Sequence, residues 1–130
     1  MLNLRFIVPL FHAAQVDFYR TASHAGQQSP ALLQCVSSIL QIAAIVHENE
    51  PPSSMCRIAW PLFIAGVETN DFVHSAWVLE RYRDLADFSQ NFRRAHALLQ
   101  DVVRHQCLTG EKVDYRRWLV ERPEFEPFIV

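Results

Sequence analysis

The sequence predicts an all-α fold, a single-domain array of about five or six roughly antiparallel helices spanning residues 1–130. Three observations carry this. Apolar residues recur at i, i+3 and i+4 along almost the whole chain, while no alternating pattern competes. Polar clusters holding proline or glycine separate the periodic stretches. Only three glycines occur, too few for the tight turns of a sandwich or barrel. A chain of 130 residues suits one domain, and 50% hydrophobic content can fill a sizeable core.

The elements follow in order. Leu4, Ile7, Phe11, Ala14 and Phe18 form the stripe of a first helix. Thr21 to Ser29 is polar, holds Gly26, and reads as a loop. Pro30 suits the first position of a second helix reaching about His47, with Leu33, Val36, Ile39 or Leu40, Ala43 and Val46 inward. Glu48 to Ser54 breaks the chain again. Ser53 or Ser54 can cap a third helix to about Glu68, whose run Ile58 to Val67 carries no charge. Pro61 inside that run removes a backbone donor, so this central helix is expected to kink there, or to break and restart. Gly66 admits a close neighbour. Thr69, Asn70 or Asp71 can cap a fourth helix with Phe72, Ala76, Leu79 and Arg83 on one face. A fifth spans about Phe88 to Cys107 along Phe88, Phe92, Ala95, Leu99 and Val102, and Gly110 stops it. A short sixth runs from about Val113 to Arg122, and the apolar tail 125–130 is expected to dock on the body.

Composition excludes several classes of function. The formal net charge of −2 makes no field for nucleic acid or anionic membrane. Eleven basic residues are arginines and only Lys112 is a lysine, scattered apart from Arg93-Arg94 and Arg116-Arg117. Cys35, Cys56 and Cys107 are too few and too far apart for a disulfide framework or a Cys-x-x-Cys metal site, so free thiols in a reducing compartment are expected. Residues 1–14 make a poor secretion signal, because Pro9 interrupts a short apolar stretch. No uninterrupted run approaches the roughly 18 apolar residues of a membrane helix.

Nor does spacing assemble a reactive centre. Among the six histidines there is no His-Glu-x-x-His and no Glu-x-x-His. Asp71-x-x-His74 is an isolated pair, more simply a helix start beside a surface histidine. His96 and His105 lie half a turn out of phase on one helix. Cys35 and Cys56 sit in apolar settings typical of small core residues. Glu80 and Asp84, flanked by Arg81 and Arg83, read as a solvated ion-pair face. Asp114-Tyr115-Arg116-Arg117-Trp118 mixes bases and aromatics as nucleic-acid readers do, but also fits an amphipathic helix with its arginines outward. No glycine-rich phosphate loop exists. The sequence therefore presents no catalytic residue, no metal ligand set and no cofactor site.

Four segments carry a family resemblance. Phe11 to Arg20 ends in an aromatic-Tyr-Arg. Trp60-Pro61-Leu62-Phe63-Ile64-Ala65-Gly66 is the most specific. Trp77-Val78-Leu79-Glu80-Arg81 follows, then Asn91 to Val102 and Asp114 to Arg117. In order and spacing these resemble the C-terminal part of the fungal-specific transcription factor domain, of the zinc binuclear-cluster family. The resemblance implies a regulatory or interaction module in transcription control, not an enzyme, with a nuclear location and a cytoplasmic alternative. It places Trp60, Pro61 and Gly66 in the core. The chain lacks the family's six-cysteine cluster and reads as a truncated member. His74 or Ser75 stands where arginine is frequent, and Val103 where tryptophan is frequent. A shortened core would leave apolar surface, so a protein partner or self-association is expected, with a small-molecule effector in an interhelical groove as a further expectation. Direct nucleic-acid binding and membrane association are not expected. Arg93, Arg94, Arg116 and Arg117 are the candidate interaction surface. The competing reading is a small helical enzyme or ligand-binding protein of a biosynthetic pathway, which requires histidines such as His12, His47 and His96 to converge with acids in a pocket.

Overall fold

Ala59–Glu68 forms a ten-residue helix in which every residue but Trp60 is buried. Such a segment cannot lie on a surface, and the other helices are arranged around it. The computed structural model describes residues 4–22 and 30–122. The helices in chain order are α1 (Leu4–Ala22), α2 (Pro30–Asn49), a 3-10 segment (Pro52–Ile58), α3 (Ala59–Glu68), α4 (Phe72–Leu85), α5 (Gln90–Thr109) and α6 (Tyr115–Glu121). There is no strand among the described residues. The expected tail at 125–130 and most of the loop after α1 lie outside them.

Helix α3 separates two clusters. Its Ile64 and Ala65 meet Ala13 and Val16 of α1 and Leu32, Cys35, Val36 and Ile39 of α2. Its Leu62, Phe63 and Val67 meet Val78, Tyr82 and Leu85 of α4 and Leu98, Leu99 and Val102 of α5. The hub is thus apolar on both sides because both sides are covered.

The expected kink takes a different form. The 3-10 segment hands over to α3 at Ala59, so Pro61 is the third residue of a new helix. The first N–H groups of a helix have no intrahelical partner, so the missing donor costs little there. Ser53 and Ser54 do not cap α3; the residue at its cap is Ile58, without a side-chain bond.

Ends elsewhere are capped by chemistry visible in the sequence. Asp71 accepts from the Val73 N–H at 2.8 Å, Ser89 from Phe92 at 3.2 Å, and Asp114 from Arg116 at 3.1 Å. Gly110 closes α5 with φ of 73°, a left-handed conformation that costs other residues more. The C-terminus of α3 is closed from a distance. Gln106 donates to the Val67 carbonyl at 2.9 Å, and Lys112 donates to the Val67 and Thr69 carbonyls at 3.4 and 2.9 Å. The single lysine thus stands where a helix dipole favours a cation.

Two expected faces were rotated. In α1, Phe6, Pro9, Ala13 and Val16 point inward, while Ile7, Phe11 and Ala14 are exposed. Arg57 covers the inward Phe6, its guanidinium 4.1 Å from the ring centre. In α4 the buried line is Ser75, Val78, Tyr82 and Leu85, whereas Phe72, Ala76 and Arg83 are exposed. Tyr82 can enter the core because its hydroxyl donates to the Ala59 carbonyl at the start of α3. Burial, with the nearby Tyr115, pushes that phenol well above its ordinary range. Smaller shifts affect Leu33, which gives way to Leu32, and Phe88, which is exposed one residue before the Ser89 cap.

Gly66 sits where α3, α4 and α5 touch. A Cβ there would lie 2.8 Å from Val78 Cγ1 and 3.3 Å from Leu99 Cδ1. Overpacking costs about 1–3 kcal/mol, against the ~1 kcal/mol gained by replacing a helical glycine. Gly66→Ala should therefore lower the melting temperature, and the double variant G66A/V78A should be more stable than the two single losses added together. Phe63 is fully buried and Trp60 is not. Phe63→Ala should cost about 3–5 kcal/mol in urea denaturation, and Trp60→Ala distinctly less.

Candidate functional site

Helices α2 and α4 both pack on α3, and a groove of about 480 Å³ runs between them. One wall is the stripe Leu33, Ser37, Leu40, Gln41 and Ala44 of α2. The spacing of these residues puts them on one helical face, beside the buried line of Leu32, Val36 and Ile39. The other wall is His74 and Trp77 of α4, one turn apart. Thr69, where α3 ends, also lines it. Short side chains at Ser37 and Ala44 keep the groove open. It is mainly apolar, with a hydroxyl, an amide and an imidazole along its edges.

Past Trp77 the walls are joined. Arg81 of α4 donates to Nε2 of His47 on α2. Its guanidinium carbon lies 5.2 Å from the Trp77 ring centre, and His47 meets the same indole edge-on at 5.9 Å. Glu80 and Asp84 lie 3.4 and 3.6 Å from the guanidinium. Arginine can only donate, so the bridge holds with Nε2 of His47 unprotonated. A second hollow of about 210 Å³ lies beyond it, bounded by Val46, Met55, Leu85 and Phe88.

The histidines expected to converge do not line the groove together. His12, His47 and His96 sit on α1, α2 and α5 respectively. Among the described residues no group of three His, Cys, Asp or Glu side chains is placed to hold a metal. Asp71 caps α4, and its other oxygen is 3.7 Å from His74 Nδ1, with both side chains about half exposed at 53%. Burial raises the Cys35 and Cys56 thiols above their ordinary range, which disfavours a thiolate nucleophile. Cys35 donates to Gln15 Oε1 at 3.4 Å.

The arginine pairs are placed apart and mostly engaged. Arg93 donates to the Ala86 carbonyl and to Gln90 at the start of α5. Arg94 is partly buried. Arg116 pairs with Asp17 at 3.1 Å, tying α6 to α1, and Arg117 with Glu121 at 2.9 Å. Arg93 lies about 12 Å along α5 from Asp101, the residue that meets α6 through the Trp118 Nε1 bond of 2.8 Å. The four arginines do not form one tract. Of the motif residues, Pro61 and Gly66 are buried in α3, and Trp60 is half-buried against the α1–α2 cluster.

The groove was not legible as a site. Leu33, Leu40 and Trp77 are apolar, and periodicity cannot tell a core face from a groove wall. The available signal was that α2 is apolar on more than one face. Among the described helices it reaches the length and mean hydropathy of a membrane span, at 20 residues and 1.5, although its apolar residues do not form one unbroken run. Its packing on α1 and α3 is that of a core helix.

A model of the fungal specific transcription factor domain matches residues 7–124, all but six residues at each end. The chain belongs to this family. No curated protein and no solved structure matches it. In this fungal-specific transcription factor domain the Trp60–Gly66 segment lies in the hub helix, and the α2–α4 groove runs beside it.

His96 on α5, outside the groove, gives the fold a pH signature. Burial, and then the Arg83 charge, hold its imidazole below the ordinary value near 6.5. The unfolded chain therefore binds this proton first. The contribution is complete above about pH 6.5 and declines as pH falls toward the depressed native value. Melting temperature should drop on acidification from about pH 7 to 5, and His96→Gln should flatten part of that drop.

Proposed function

We propose that this chain is a regulatory and interaction module of fungal transcription control, acting in the nucleus through contacts with other molecules rather than by reading DNA itself. The α2–α4 groove carries this reading. It is a concavity of about 480 Å³, it is mainly apolar, and its walls come from two helices that hold separate positions on α3. A regulatory domain needs a surface that recognises shape, and this groove can take apolar side chains of a partner helix. The arginines support the same division of labour. Arg116 and Arg117 are engaged with carboxylates within the chain, and Arg93 with the Ala86 carbonyl and Gln90. DNA contact is left to another part of the protein or to another chain.

The groove's size favours a second reading of its occupant. About 480 Å³ falls within the range of small-molecule pockets, and Ser37, Gln41 and His74 would orient a flat apolar effector. An enzymatic role is not proposed, because His12, His47 and His96 lie on three different helices and none of them lines the groove.

A tethering experiment tests the module. Fused to a heterologous DNA-binding domain, the chain should change reporter transcription severalfold in fungal nuclei. Ser37→Trp, on the exposed wall of α2, should fill the groove, return the reporter to the level of the bare DNA-binding domain, and leave the melting temperature nearly unchanged. An unaltered reporter with the wild-type chain overturns the regulatory reading. A full response from S37W overturns the assignment of the groove.

A further inference from the structure

Four helices stand around α3, with α1 packed on α2 and α4 packed on α5. A ring of two pairs has two gaps, one between α5 and α1 and one between α2 and α4. The molecule fills the first itself. Helix α6 lies across it, with the Tyr115 ring centre 4.9 Å from that of Phe63 on α3. Arg116 pairs with Asp17 of α1, and Arg122 lies 3.9 Å from Asp101 of α5, which also accepts from Trp118. The filler is thus a helix with aromatic side chains turned toward the body and arginines reaching carboxylates on both flanking helices. The second gap is the α2–α4 groove, and no helix among the described residues fills it.

The rim of this second gap carries the same sign of charge. From Pro30 to Val46 α2 has no charged residue. Its wall stays neutral until Glu48, which continues the stripe Ser37, Gln41, Ala44 by one turn and is exposed. On α4, Asp71 stands at one end of the groove, beside His74, and Glu80 and Asp84 at the other. These three carboxylate side chains are 53%, 57% and 60% exposed, whereas Arg81 is 14% exposed and already shared between His47 and two of them. One guanidinium cannot neutralise two carboxylates. Arg83, the next cation on α4, points the other way, toward His96 of α5. The groove is therefore apolar within and acidic at its edge. That field repels an acidic helix or a phosphate backbone and attracts cationic side chains. An extended peptide gains little here, because both walls are helices whose main-chain groups bond along their own length and offer no strand edge.

We propose that the α2–α4 groove receives one helix of a protein partner, apolar or aromatic on the face turned toward α3 and carrying arginine or lysine along its flanks. The partner then closes this gap as α6 closes the other. The inference rests on the groove reading above and adds the chemistry of the occupant. Leu33 and Ala44 are about 16 Å apart along α2, so about three turns of the partner fit. Burial of its apolar face supplies the affinity, while the rim carboxylates select between partners and speed the encounter.

Two synthetic helical peptides test this, with the same leucine and phenylalanine face and either arginines or glutamates at the flanking positions. Each is titrated against the full chain by fluorescence anisotropy. At low ionic strength the arginine peptide should bind about tenfold tighter or more, and the difference should shrink as salt is raised to about 0.5 M. The double variant E48K/E80K, changed at two exposed positions, should narrow or reverse the preference with a melting temperature close to wild type. E48Q/E80Q, which removes charge without adding any, should narrow it less. Ser37→Trp should weaken binding of the arginine peptide, which locates the peptide in the groove. Equal binding of the two peptides, or tighter binding of the glutamate peptide, with both lost in S37W, overturns the cationic partner and leaves the groove reading standing. Binding of the arginine peptide that S37W does not weaken lies outside the groove and overturns the proposal. Binding of neither peptide up to about 1 mM overturns the helical partner, and with the tethered reporter still active it leaves the groove to a small effector.

Discussion

Everything in this fold depends on satisfying the ends of a helix that has no solvent-facing side. Helix α3 is buried along both flanks, so its terminal carbonyls cannot rely on water. The molecule meets this need with side chains from distant positions. At its C-terminal end Gln106 reaches Val67 across 39 residues and Lys112 reaches Thr69 across 43, while at its start the Ala59 carbonyl gives the buried Tyr82 hydroxyl an acceptor across 23. Each bond also fixes a packing relation. Tyr82 sets α4 against the start of α3, and Gln106 and Lys112 set the α5–α6 turn against its end. Gln106 does this twice, since its amide oxygen accepts the Val113 N–H at 2.9 Å. Polar chemistry in this chain thus serves largely to hold an apolar hub.

The same constraint explains what sequence reading could and could not reach. Helix existence, the caps at Asp71 and Gly110, and the buried Pro61–Gly66 run are local properties, and local residues state them. Which face of α1 or α4 turns inward is not local. In α4 an apolar line through Phe72 and Leu79 competed with one through Val78 and Tyr82. Hydrophobicity alone favoured the first. The second won because Gly66 opens a contact for Val78, and because Ala59 offers Tyr82 an acceptor. In α1 both lines are apolar, so periodicity could not choose. Pro61 posed the converse difficulty. Its place in the run implied a bend, but the 3-10 segment before it moves the helix start to within three residues, and the missing donor then falls where none is used. Arg117–Glu121 is a local i, i+4 pair, but the engagement of Arg116 with Asp17 depends on the placement of α6, which sequence could not supply.

The two exposed apolar features have one origin. Helices α1 and α2 are each apolar on more than one face, and the array covers only one face of each. On α2 the excess forms a groove wall, because α4 stands opposite it across α3. On α1 no helix stands opposite, and the excess forms a ridge. Both features would be liabilities in a domain selected for stability alone. On the proposed reading, they are the surfaces on which recognition by shape can act.

Recognition by shape carries a further consequence. The bridge at the end of the groove joins its walls through one donor and one acceptor, Arg81 and His47, with Trp77 packed beneath both. A ligand entering from the Leu33 end meets Trp77 before it meets the bridge. Displacing the indole would disturb the stacking of Arg81 and hence its hold on α2. Occupancy of the groove is therefore mechanically linked to the spacing of α2 and α4, and through their common support on α3 to the rest of the core. In a domain built around one buried helix, each of these surfaces is a side of an element that packs on the hub.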